Sequence, residues 1–266
     1  MKLELLYHVR VRAAALFILS TIVPLGLGPT STLAGPPFLT DDPEPVEHLH
    51  WEVYLASAYS HGREGISCTA PHVEVNFGAF ADTQLHLIVP MAYSHPHELG
   101  WHYGLGDVEL GAKYRFAREH GATPQVGVFP IVLLPTGNSQ ESLGEGRIRV
   151  LLPVWLQKSV GPWTTYGGGG YWYHPGPGNK DYWFGGWELQ RDLSKTLTLG
   201  AEIFGNTPPS QDEAGGYGFN AGMIVNLSEE YHVLLSSGRD IHGPNTLAAY
   251  GAFQWTFGPR RSSAVR

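Results

Sequence analysis

The sequence predicts an all-β fold, a single transmembrane antiparallel β-barrel of about 12 strands, on three observations. In Asp107-Val108-Glu109-Leu110-Gly111-Ala112-Lys113-Tyr114-Arg115-Phe116 every second residue is apolar and most of the others are charged. A strand sends successive side chains to opposite faces, so one face here is apolar and the other carries Asp, Glu, Lys and Arg. The pattern recurs about a dozen times with aromatic strand ends, which suits lipid outside and a polar lumen inside. The connections between these segments alternate short and long, the habit of outer-membrane barrels.

The strands run in order along the chain. Trp51, Val53 and Leu55 alternate with His50, Glu52 and Tyr54, and Val73, Val75 and Phe77 with His72, Glu74 and Asn76. Leu85, Leu87 and Val89 alternate with Gln84 and His86, and residues 107–116 form the fourth strand. A fifth, over 125–133, is almost wholly apolar and has no clear register. Ile148, Val150, Leu152 and Val154 alternate with Arg147 and Arg149. Residues 163–172 contain Gly167-Gly168-Gly169-Gly170, a strand with little side chain to pack. Trp187 and Leu189 flank Glu188, and Leu199, Ala201 and Ile203 alternate with Thr198 and Glu202. Tyr217, Phe219, Ala221, Met223 and Val225 face away from Asn220 and Asn226. Tyr231, Val233 and Leu235 form the next apolar face, and Phe253, Trp255 and Phe257 the last.

Short links are expected at 78–81, 117–123, 159–162, 192–195 and 228–230, and long ones at 59–70, 93–104, 135–146, 174–181, 206–216 and 239–245. An even strand count then puts both ends of the processed chain in the periplasm.

Composition agrees. The chain has 266 residues, 42% hydrophobic and only 15% charged, with 34 Gly, 8 Trp and 13 Tyr. After the N-terminus it has no run of about 20 apolar residues, so helical spans are excluded. Residues 1–34 read as a secretory signal: Lys2, Arg10 and Arg12, an apolar core from 13 to 23, and Thr32-Leu33-Ala34 as a cleavage site. Removing the three basic and one acidic residue of that leader from the chain's 17 and 24 leaves 14 and 23, a net charge of −9. That balance argues against a nucleic-acid partner. Cys68 is the single cysteine, which excludes an internal disulfide framework. The expected organisation is a signal peptide at 1–34, an extended acidic, Pro-rich segment at 35–47, the barrel at 48–257 and a short basic tail at 258–266.

The inward charges expected to line the lumen are Glu52, Glu74, Asp107, Glu109, Lys113, Arg115, Arg147, Arg149, Glu188 and Glu202. Opposed charges of this kind filter solutes in pores. They also suit a salt-bridged interior that only fills the barrel; eight strands are filled by side chains and sixteen leave a channel, so twelve is intermediate. Asp41, Asp42 and Glu44 lie in a proline-locked stretch that cannot join a central strand. Three places suit it: the periplasmic mouth, the lumen beside Arg115, Arg147 or Arg149, or an extended leader.

Other motifs carry less. His95, His97 and His102 share one external loop and are weak metal candidates, because they lack the spacing of a dedicated site and no Cys is near. Ser60-His61 and Ser94-His95 are adjacent pairs whose side chains point apart, so neither makes a hydrolytic dyad by itself. Leu134-Pro135-Thr136-Gly137 with Gly144 and Gly146 lacks the lysine of a phosphate loop and opens a strand, and reads as an external loop folding inward.

The stretch Gly35-Pro36-Pro37-Phe38-Leu39-Thr40-Asp41-Asp42-Pro43-Glu44-Pro45-Val46 running into His50-Trp51-Glu52-Val53-Tyr54, with Leu134-Pro135-Thr136-Gly137 and Gly144-Glu145-Gly146-Arg147, resembles the outer-membrane barrels of the "MetA pathway of phenol degradation" or transporter-like type. The resemblance covers most of the processed chain. The tail beyond Phe257 departs from barrels that end on the aromatic itself. The resemblance implies an outer-membrane channel or uptake protein for small organic compounds, and it supplies no catalytic residues.

The expectation is therefore a bacterial outer-membrane channel, not an enzyme, passing small organic or hydrophobic solutes by lumen width and charge without a cofactor. Its partners would be outer-membrane lipid, the solute and, during biogenesis, the barrel-assembly machinery. One alternative is a plugged barrel whose His-rich loops bind a ligand or metal. Another is a membrane-rim hydrolase dependent on His61 or His95.

Overall fold

The computed structural model describes residues 36–63, 65–96, 100–244 and 246–259. The leader at 1–34, His97 and residues 260–266 lie outside them. Fourteen β segments form one antiparallel sheet: β1 (Trp51–Gly62), β2 (Gly65–Phe80), β3 (Thr83–Pro96), β4 (His102–Leu105), β5 (Val108–Ala117), β6 (Gln125–Val128), β7 (Ile131–Leu134), β8 (Arg149–Val160), β9 (Trp163–Tyr173), β10 (Tyr182–Asp192), β11 (Leu197–Asn206), β12 (Gly216–Asn226), β13 (Tyr231–His242) and β14 (Leu247–Phe257). β4 and β5 both pair with β3, and β6 and β7 both lie between β5 and β8. Each pair is one interrupted stave, so the wall has 12 staves. Pairing of β1 with β14, from Trp51 opposite Phe257 to His61 opposite Leu247, closes the ring.

The two interruptions have local causes. Pro130 follows Phe129 and cannot donate to the ladder, which splits the apolar run 125–134 into β6 and β7. Gly106 and Asp107 bulge between β4 and β5, and Gly106 N–H donates to the Pro90 carbonyl at 2.9 Å.

The burial pattern is inverted relative to a water-soluble protein. Leu55, Val73, Leu85, Leu110, Phe116, Leu152, Trp187, Leu199, Ile203 and Phe253 are exposed. Their alternating neighbours Glu74, Asn76, Gln84, His86, Lys113, Gln157, Glu188, Glu202, Asn220 and Gln254 are buried. The polar face is thus the inside of the ring. Aromatic residues gather at both ends of the outer wall. Trp51 stacks on Phe77 at 4.2 Å near the chain ends, and Tyr171 meets Trp183 at 5.2 Å near the long loops. Such belts suit the two interfaces of a bilayer.

Two stretches expected as long loops are strand instead. β1 and β2 run on to Gly62 and Gly65, through most of 59–70, and β3 continues to Pro96. A membrane strand needs only about 9–11 residues to cross the hydrocarbon. β2 has 16, so its ladder outlasts the apolar alternation that marks the lipid-facing stretch. Residues 135–148 do form a loop, with a short 3₁₀ turn at Ser139–Glu141. It folds onto the inner wall: the Glu141 carbonyl accepts from the inward Ser94 hydroxyl at 2.6 Å, and Leu143 is buried.

Candidate functional site

Residues 36–50 pass through the inside of the barrel. Near the chain-end rim, Leu49 N–H donates to the Gly78 carbonyl and Gly78 N–H to the His50 carbonyl, at 2.7 and 3.0 Å. From there the segment runs inward to Pro37, whose carbonyl accepts from the Ser236 hydroxyl of β13 at 2.6 Å.

Inward-facing glycines make the room. A Cβ on Gly200 would lie 2.7 Å from the Phe38 ring, and one on Gly222 would lie 3.1 Å from it. Gly186 sits under Thr40, Gly127 lies under Pro43 and Gly78 under the Glu47 backbone. Five staves thus present bare backbone where the segment passes.

Polar contacts hold it in the same groove. Glu202 takes both Leu39 N–H and Thr40 N–H at 2.8 Å, and Asn220 Nδ2 at 3.0 Å. Lys113 of β5 reaches Asp41 at 2.9 Å and Asp42 at 3.4 Å. Its side chain is 5% exposed and that of Asp42 is 0% exposed, so this is a buried ion pair. Glu44 accepts from Gln125 and Gln157 at 3.1 Å, and Arg115 lies 3.7 Å from it. Val46 N–H donates to Gln84 at 2.9 Å.

The charges divide by location. Along β2, β3 and β5, Glu74, Asn76, His86 and Glu109 form a network. His86 contacts Asn76 at 2.7 Å and Glu109 at 3.0 Å, and Asn76 donates to Glu74 at 2.8 Å. Glu52 accepts from the Tyr54 hydroxyl at 2.9 Å. Glu188 is fully buried, and among the described residues neither of its oxygens has a hydrogen-bond partner. The adjoining wall, from β12 through β14 to β1, instead presents Tyr54, Ala56, Ile224, Leu234 and Ala252 as an apolar cluster.

Three charged positions sit apart from that interior. Asp107 lies in the break between β4 and β5 and anchors the 135–148 loop, accepting from Gly137 N–H at 3.0 Å and Glu145 N–H at 2.8 Å. Arg147 is exposed in the same loop, before β8 begins. Arg149 is at the head of β8, 3.6 Å from Glu145 and over the Trp172 ring. The acidic segment pairs with Lys113 and Arg115, not with Arg147 or Arg149, because it enters from the chain-end rim and those two arginines stand at the loop end.

The histidine candidates do not converge. His102 is opposite Ser94 on the inward face, whereas His95 packs against the exposed Trp101 at 4.8 Å. Among the described residues no group of three or more His, Cys, Asp or Glu could hold a metal ion. Ser94 spends its hydroxyl on Glu141, on the opposite face from its neighbour His95.

Outside the spanning staves, Asp82 in the β2–β3 turn has its carboxyl held below the usual range. Its hydrogen bonds to Arg118 come first among the causes, then burial, which opposes them, and the bond to Arg115. The distances are 2.7 Å to Arg118 and 2.8 Å to Arg115.

No family model matches the sequence. No curated protein matches it either. Solved structures do. An outer membrane channel from Pseudomonas putida F1 aligns with a TM-score of 0.65 over 81% of this chain and 98% of that one, at 15% identity. The chain has the fold of an outer-membrane channel barrel. The NanC porin aligns with a TM-score of 0.56 over 76% of this chain and 98% of its own, at 7% identity. The KdgM porin, solved with disordered oligogalacturonate, gives 0.54 over 77% and 99%, at 8% identity. At these identities the likeness concerns the fold.

Proposed function

We propose that this barrel is an outer-membrane channel of the MetA-like transporter type, passing small organic or hydrophobic solutes passively, with its own N-terminal segment as the gate. The observation that carries the reading is the course of residues 36–46 through the lumen. The outer wall is apolar, so the ring suits lipid, and closure pairs the backbone groups that hydrocarbon cannot satisfy. A 12-stave ring is wider than its side chains fill and narrower than an open porin. The segment occupies that surplus width, so solute passage requires it to move.

The contacts suit a reversible gate. They are ionic pairs, side-chain hydrogen bonds with Gln84, Gln125, Gln157 and Ser236, and close passages over glycine. Once the segment has moved, lumen charge on the β2, β3 and β5 wall, beside the apolar wall, selects among solutes.

The test is single-channel conductance of the refolded protein in a planar bilayer. Low conductance that rises several-fold on removal of residues 35–45 is expected. A variant that remains heat-modifiable, and therefore folded, yet conducts no more than the whole protein would overturn the reading.

A further inference from the structure

Residues 38–40 of the segment lie over two neighbouring carboxylates. Glu188 of β10 and Glu202 of β11 are direct cross-strand partners, and both are buried on the inward face. Thr40 passes over Gly186, the next inward position along β10 from Glu188. A Cβ on Gly200 would meet both the Phe38 ring and Glu188 Oε1, so that oxygen points into the groove the ring fills. The segment is therefore what separates Glu188 from the open lumen.

Carboxylates directly opposite one another on a sheet repel. The donors set against this pair are all neutral. Leu39 N–H donates to one oxygen of Glu202 and Thr40 N–H to the other, each at 2.8 Å, and Asn220 Nδ2 donates at 3.0 Å. Both oxygens of Glu188 lack a hydrogen-bond partner among the described residues. The ammonium of Lys113 is engaged at Asp41 and Asp42. Buried polar atoms are normally satisfied, and the segment leaves those of Glu188 unsatisfied.

The segment's own contacts outline what would satisfy them. Two N–H donors on the two oxygens of one carboxylate form the fork that an amidinium or guanidinium presents. In the segment this fork follows directly on an aromatic ring that lies against Gly200 and Gly222. An organic cation of that shape would bring the positive charge that the segment lacks.

We propose that the wall beneath residues 38–40 recognises a small organic cation, an amidinium or guanidinium beside an apolar ring. Its fork sits on Glu202, its charge is shared with Glu188, and its ring takes the place of Phe38 over Gly200 and Gly222. The segment is then a neutral mimic of the solute, and the two exclude each other. A neutral solute gains nothing from the charge of Glu188, and an anion is repelled by both carboxylates. This assignment rests on the channel reading, because the site is uncovered only when the segment leaves it.

The test is ¹⁹F NMR titration in detergent at neutral pH with 4-fluorobenzamidine as its amidinium, 4-fluorobenzyl alcohol and 4-fluorobenzoate. Detergent alone serves as the blank. The whole protein is compared with Lys113→Met and with the protein lacking residues 35–45, each first shown to be heat-modifiable. A covered site binds with an affinity reduced by the fraction uncovered, so the amidinium should bind at least about tenfold more tightly to one or both loosened forms than to the whole protein. The alcohol and the benzoate should bind every form at least about tenfold more weakly than the amidinium. Adding Glu188→Gln to Lys113→Met removes a charged contact and should weaken the amidinium about tenfold, whereas adding Arg118→Ala should leave it unchanged. No saturable amidinium shift, equal affinity in all three forms, equal binding of the alcohol or the benzoate, or undiminished binding with Glu188→Gln would overturn the proposal. The two readings fail separately. Conductance that rises on removal of 35–45 without amidinium binding refutes only this site, and amidinium binding without any rise in conductance refutes only the channel.

Discussion

Replacing Lys113 with methionine isolates the electrostatic part of the proposed gate. The change keeps the apolar body of the side chain against Phe129, whose ring lies 5.0 Å from the ammonium, and removes the ammonium with its charge and donors. In the docked state Asp42 would then be fully buried without its cation, and Asp41 would lose its 2.9 Å partner. Removing one partner of a buried ion pair costs roughly 3–5 kcal/mol. The undocked state is spared that cost because its carboxylates are hydrated. At about 1.4 kcal/mol per tenfold, the docked-to-free ratio should fall by about a hundredfold or more. A buried carboxylate can also take up a proton, which places the effect near the lower end. The assay is open probability in single-channel records, with Arg118→Ala as a control, since Arg118 is exposed and pairs with Asp82 in the turn. If Lys113→Met gates like the whole protein while removal of 35–45 opens the pore, the ion pair is not the latch, and the glycine groove and Glu202 hold the segment.

Other perturbations reach the same segment by different routes. Gly200→Val places a Cβ against Glu188 Oε1 and 2.7 Å from the Phe38 ring, so the ring must give way and open probability should rise without any change of charge; Gly100→Ala, which meets nothing within 4 Å, should be silent. Glu202→Gln keeps one acceptor and loses the charge that strengthens the bonds to Leu39 and Thr40, so about a tenfold shift toward the open state is expected in the same records. Arg149→Glu should change cation/anion preference in reversal-potential measurements more than Arg147→Glu, because Arg149 heads β8 while Arg147 stands in the exposed loop. The Asp82 carboxyl is depressed in the folded state. Its contribution is therefore complete above the unfolded value near 3.8 and lost as pH falls through the lower folded value. Urea unfolding should show Asp82→Asn less stable by about 0.5–1 kcal/mol at pH 7 and indistinguishable at the lowest pH where the barrel still folds.

The staves are legible in the sequence because the alternation reports which face meets an apolar medium, and that signal survives wherever both faces carry side chains. It fades where they do not. The run 125–134 is apolar on both faces since Phe129 turns inward against Gly111, and so its register and its break at Pro130 are hidden. Loop ends are misplaced because a hairpin ladder such as β1–β2 continues past the lipid edge, where polar residues no longer alternate with apolar ones. Arg147 shares the parity of Arg149, yet the ladder begins only at Arg149. The segment's partner Lys113 is visible as an inward cation, but nothing local distinguishes it from Arg115. Which one is met depends on depth in the lumen, a property of the closed ring. The glycine groove does leave a mark in the sequence: Gly200 lies between inward Thr198 and Glu202, and Gly222 between inward Asn220 and Ile224. A glycine on an otherwise filled inward row marks a close approach by other backbone.

The same rows fit the proposal of a gate made from the chain's own N-terminal segment instead of wall side chains. Longer side chains at positions 78, 127, 186, 200 and 222 would fill much of the lumen directly, but permanently, since a packed wall residue has nowhere to go. Leaving these positions bare and closing the space with a tethered strip makes closure a docking equilibrium. The strip is fixed at one end where Leu49 and His50 join Gly78, and its contacts further in are separable one from another. On that proposal its stability in the lumen is set by three separate groups of contacts, at Lys113, at Glu202 and at the glycine clearances.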